Sequence, residues 1–81
     1  METWRPEEIG TTAGKVWNFL HKRGESSLSA VERGVGAPKQ LVCMAVGWLA
    51  REGKVALRQE KRSLQLSLTD GESAQNSRMQ Y

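Results

Sequence analysis

The sequence predicts an α+β domain of three helices and a β-hairpin, with the last two helices joined by a tight turn. Three observations carry that reading. Ser29-Ala-Val-Glu32 has the spacing of a capping box, and Gly34 and Gly36 break the helix soon after it starts. Pro38 restarts the chain, because its fixed φ suits a first helical position, and Gly53 suits the left-handed position just past a helix end. Beyond Gly53 the apolar residues alternate with period two, twice, around a charged turn. Helix, tight turn, helix and ribbon, in that order, is the arrangement of a winged helix-turn-helix with a small antiparallel sheet.

The first helix is expected over Glu8 to Arg23. Ile9, Ala13, Val16, Trp17 and Leu20 fall on one face at steps of four, three, one and three. Thr11 or Thr12 is a candidate N-cap, and Lys22, Arg23 and Gly24 mark the end. Glu25 to Leu28 is too short to stand alone and is expected to add a third strand beside the hairpin. The second helix runs from Ala30 to Arg33 or Val35 and buries Leu28 and Val31. The third, Pro38 to Glu52, carries Leu41, Val42, Ala45, Val46, Trp48 and Leu49 within roughly 160° of arc. In the hairpin, Lys54 to Gln59 points Val55 and Leu57 inward, and Ser63 to Thr69 does the same with Leu64, Leu66 and Leu68. Glu60-Lys61-Arg62 joins the strands without a glycine, which argues against a two-residue primed turn. The expected organisation is an arm over 1–7, one domain over 8–69 and a disordered polar tail over 70–81.

Eighty-one residues support one modest core. Its three tryptophans therefore matter, since burying one removes over 100 Å² from water, worth roughly 3 kcal/mol. Trp17 and Trp48 lie on apolar helix faces and are expected in the core, while Trp4 either caps it or stands at an interface. The formal net charge of +3 and the pI of about 9.4 favour a polyanionic partner. A single cysteine, Cys43, excludes an internal disulfide. With one histidine, His21, on a helix surface, it leaves no ligand set for zinc and no catalytic constellation. The expectation is a binding protein, not an enzyme, with no cofactor and no metal. No run approaches the roughly 20 apolar residues of a membrane span, and no signal-peptide core follows Met1, so a cytoplasmic location is expected.

Two stretches, Ile9-Gly-Thr-Thr-Ala-Gly-Lys-Val-Trp17 and Leu41-Val-Cys-Met-Ala-Val-Gly-Trp-Leu-Ala-Arg-Glu-Gly-Lys54, resemble a small prokaryotic winged helix-turn-helix family of short single chains. The resemblance spans about residues 8 to 68, and the Gly-Trp-Leu-Ala-Arg-Glu run is its most specific part. It implies a winged-helix fold and, by analogy, DNA binding or transcriptional regulation.

In a helix-turn-helix the second helix of the motif enters the major groove with its N-terminal half. Here the outward face of that helix carries Lys39, Gln40, Cys43, Met44, Gly47, Ala50 and Arg51. Lys39, Gln40 and Arg51 can address base edges or phosphates; Cys43, Met44, Gly47 and Ala50 cannot. Lys54, Arg58, Lys61 and Arg62 fall within nine residues of the wing against only Glu60, and can neutralise phosphates. The first eight residues are net −2, so charge is segregated along the chain. These seven polar residues form the candidate site for double-stranded DNA. Lys39 and Gln40 also read as an ordinary solvated first turn, and the wing charges as guards of an edge strand. The competing use of the helix is a protein interface, a homodimer or a docking site for another protein, on Cys43, Met44, Gly47 and Ala50.

Overall fold

A computed structural model describes residues 4–69 of the chain. The expected tail over 70–81 and the first three residues of the expected arm lie outside that range. Helix α1 spans Pro6–Arg23, strand β1 Ser26–Ser27, α2 Leu28–Val35, α3 Lys39–Arg51, β2 Val55–Glu60 and β3 Ser63–Leu68. The strands form one antiparallel sheet in the order β1-β3-β2. The helices cover one of its faces. This is an α+β winged helix, as the sequence predicts, and the segment after α1 does pair as a third strand, with Ser26 opposite Leu66.

α1 begins two residues earlier than the sequence suggests. Pro6 occupies the first turn, and Arg5 before it is extended (φ −92°, ψ 152°), the conformation a following proline enforces. Neither Thr11 nor Thr12 caps the helix; Thr12 is buried within it. Glu7 and Glu8 sit in the first turn, where the helix dipole favours negative charge.

The cap of α2 is Ser27, not Ser29. The Ser27 hydroxyl accepts from the Ala30 amide at 3.1 Å, whereas Ser29 lies inside the helix and is exposed. Pairing of Ser27 with Gln65 holds it extended, and an N-cap needs that backbone. Gly34 does not end the helix. Gly36 does, in the left-handed conformation (φ 74°) with its amide donating to the Glu32 carbonyl. Pro38 is the N-cap of α3 rather than its first helical residue, and Gly53 takes the positive φ expected of it.

The core joins Ala13, Val16, Trp17 and Leu20 of α1 to Val31, to Val42, Ala45 and Leu49 of α3, and to Val55 and Leu66 of the sheet. No buried side-chain polar atom among the described residues lacks a partner. Two inward expectations are corrected. Trp48 is 37% exposed: it sits at the margin of the α3 arc, with its ring beside Gly10 of α1. Leu57 is 48% exposed, because β2 is an edge strand and burial along it extends no further than Val55.

Gly34 shows how closely α1 and α2 pack. A Cβ there would stand 2.0 Å from Phe19 Cε2, and Arg23 covers the same ring at 5.6 Å from its centroid. Gly34→Ala is therefore expected to destabilise the fold by about 1–3 kcal/mol, even though alanine is the better helix former. Urea denaturation would show it as a lower midpoint; an unchanged midpoint would mean the Phe19 ring moves aside freely.

Candidate nucleic-acid interface

α3 turns its unburied side away from α1 and the sheet. Gln40, Met44, Gly47 and Arg51 recur at steps of four, three and four, which sets them within roughly 60° of one another along the outward midline. Lys39, Cys43 and Ala50 flank that line on one side, Trp48 on the other. All are exposed except Ala50, which is half-buried. Lys39 and Gln40 stand in the first turn and Arg51 in the last, so the polar ends are separated by an apolar, low-relief middle.

Gly47 occupies the centre of that middle. A Cβ there would meet no heavy atom within 4 Å, so nothing inside the molecule requires a glycine. A helix interior loses about 1 kcal/mol to glycine relative to alanine. Gly47→Ala is accordingly expected to stabilise the isolated chain by about 1 kcal/mol and raise Tm by roughly 4–8 °C. A thermal melt reads this directly, and a fall in Tm would reveal a contact at this site.

The hairpin closes in only two residues, contrary to the expectation drawn from its missing glycine. Glu60 pairs with Ser63, and Lys61 takes φ 50°. Gln59 supports this turn: its Nε2 donates to the Lys61 carbonyl and to the Ser63 carbonyl, both at 3.2 Å. The Ser63 hydroxyl donates to the Glu60 carbonyl at 3.4 Å. Gln59 carries no charge and breaks no pattern, so the sequence gives no signal of this role. Lys61 and Arg62 project at the exposed tip. Arg62 shares a groove of about 190 Å³ with Gln59 and with Ser27 and Ser29 at the start of α2.

The four wing cations are not equivalent. Arg58 lies on the outer face of the sheet, where its guanidinium pairs with Glu25 and with Glu60, the latter at 2.8 Å. Its Nε also donates to Glu60 at 2.9 Å. Lys54 pairs with Glu52 at 3.6 Å and its side chain is only 15% exposed. Lys61 and Arg62 have no ion pair among the described residues, nor do Lys39 and Arg51. The structure thus groups the seven polar candidates into two tip residues, two at the start of α3, one at its end, and two already matched by carboxylates.

The chain is similar to proteins that bear on this geometry. It is 46% identical over 59 residues to the uncharacterized protein MJ1608 of Methanocaldococcus jannaschii, a match covering 68% of this chain and 83% of that one. Among solved structures it superposes on BpsR of Bordetella bronchiseptica, whose DNA binding is regulated by 6-hydroxynicotinic acid. There the TM-score is 0.74 at 19% identity, over 89% of this chain, which spans 57% of BpsR. It also superposes on the Zα domain of Carassius auratus PKZ, solved in complex with Z-DNA. That TM-score is 0.67 at 23% identity, over 75% of this chain and 97% of the domain. The sequence profile of one family matches residues 1–68, which takes in all three helices and all three strands; the chain belongs to the winged helix-turn-helix domain family (DUF2582).

Proposed function

We propose that this protein binds double-stranded DNA, gripping the phosphate backbone with its wing and laying the start of α3 in the major groove. The observation that carries the reading is the pair Lys61 and Arg62, two exposed cations without ion pairs among the described residues, at the tip of a hairpin beside α2. Lys39 and Gln40 supply the groove contacts, because base edges are met by the N-terminal part of such a helix. Arg51 at the far end and the carboxylate-matched Lys54 and Arg58 contribute less. Met44 and Gly47 between the polar ends offer no directional hydrogen bond, so affinity is dominated by phosphates and falls steeply with salt. The DNA-binding proteins of like fold support the reading by analogy. Transcriptional regulation in the cytoplasm is its natural use, and a homodimer spanning two half-sites would supply the sequence discrimination one copy lacks. The reading assigns no catalytic residue, cofactor or metal.

The test is an amide-shift titration with a mixed-sequence duplex at low ionic strength. The expected result is shifts confined to residues 38–51 and 54–62, reversed by added salt. An unchanged spectrum sinks the reading.

One observation favours a second use of α3. Met44 and Trp48, one helical turn apart, are 36% and 37% exposed, and with Cys43, Gly47 and Ala50 they make a smooth apolar surface. If a protein or a second copy packs there, Gly47→Arg abolishes association and leaves the monomer folded. Sedimentation of both chains distinguishes the two uses.

A further inference from the structure

We propose that Gln59 is the positioning residue of the wing, setting the grip on DNA through the turn it holds and not through contact with DNA. The inference rests on the DNA-binding reading above and deepens it. A two-residue hairpin loop needs a residue at positive φ, a place normally filled by glycine or asparagine. Here Lys61 fills it at φ 50°, where an L side chain is disfavoured. The Gln59 side-chain amide nitrogen is directed at this loop: one bond goes to the Lys61 carbonyl, the other to the Ser63 carbonyl beyond it. The side chain thus clasps the turn on both sides of Arg62. Gln59 faces Leu64 across the hairpin and lies on the side of the sheet that carries the core, next to the groove shared by Arg62 and the start of α2. Removing the clasp leaves the Lys61 conformation without its support, while the strand ladder from Val55 to Leu68 keeps its own pairing. The expected consequence is a loop that samples other conformations. Two long cationic side chains must then be ordered at the moment of binding instead of beforehand, and that lowers affinity.

The test compares four full-length chains by fluorescence anisotropy on one mixed-sequence duplex at low salt: wild type, Gln59→Ala, Lys61→Ala/Arg62→Ala, and the triple variant. Gln59→Ala is expected to weaken binding about fivefold, in keeping with the loss of two supporting hydrogen bonds. The same change made in the Lys61→Ala/Arg62→Ala background is expected to add nothing, because the groups it positions are gone. Heteronuclear NOE values at Lys61 and Arg62 fall in Gln59→Ala, while Tm stays within a few degrees. Equal binding by wild type and Gln59→Ala overturns the inference alone, as does a loss that is the same in both backgrounds. A wild-type chain that binds no duplex overturns both the inference and the reading beneath it.

Discussion

Trp17→Ala is expected to cost about 3–5 kcal/mol and to leave the chain without a stable cooperative fold near room temperature. Trp17 is 1% exposed and is the largest of the fully buried side chains. It stands on the α1 face that packs on α3, and its ring stacks on His21 at 5.0 Å. Truncation would open a cavity that α1 and α3 cannot close without losing the contacts of Val16, Leu20 and Leu49. A domain of this size holds only a few kcal/mol in reserve, so the loss is of the order of the whole. Trp48→Ala is the internal control. With more than a third of its surface in water, it should cost about 2 kcal/mol. Circular dichroism melts of the two variants measure the contrast, and equal losses would mean that Trp48 anchors the core as firmly as Trp17.

That contrast also marks where the sequence is a sufficient guide and where it is not. Both tryptophans lie on apolar arcs, and periodicity alone cannot rank them. Trp17 also stands at the margin of its arc, about 40° beyond Ala13 at 100° per residue, and its burial is settled by the packing of α1 on α3. Trp48 is at the margin of its arc, so its burial depends on where α1 crosses α3, a tertiary fact. The same distinction separates Ser27 from Ser29. Both can cap a helix, and the choice is made by the strand pairing of Ser27 with Gln65, far along the chain. Leu57 keeps strict period two with Val55 and still lies in water, because the strand order puts β2 at the edge. Local rules read well elsewhere: Gly24, Gly36 and Gly53 all take positive φ at or beside helix ends, and the α3 residues assigned to its outward face are exposed save the half-buried Ala50. In the wing, residue type locates the cations but says nothing of their partners. Arg58 meets Glu25 only because β1 joins the sheet on the far side of β3.

Charge reversal at the wing tip, Lys61→Glu/Arg62→Glu, is expected to lower duplex affinity by at least about a hundredfold at low salt and leave the fold intact. Each phosphate contact releases counterions and contributes about −0.9 to the slope of log affinity against log salt. Neutralising the two tip residues with alanine should therefore make that slope shallower by about 2, and reversing them adds repulsion from the same phosphates. Arg58→Ala provides the comparison. Its charge is already offset by Glu25 and Glu60, and exposed pairs of this kind contribute about 0–1 kcal/mol to stability. Removing it frees two carboxylates as it deletes one cation, and the salt slope should barely change while affinity falls modestly. Affinities measured across a salt series for the three variants separate two accounts of the wing. If all its cations act as a diffuse basic cloud, Arg58→Ala reduces the slope by about half as much as alanine at both tip residues. If the tip alone meets the backbone, as the pairing pattern predicts, the slope follows residues 61 and 62 and is indifferent to residue 58.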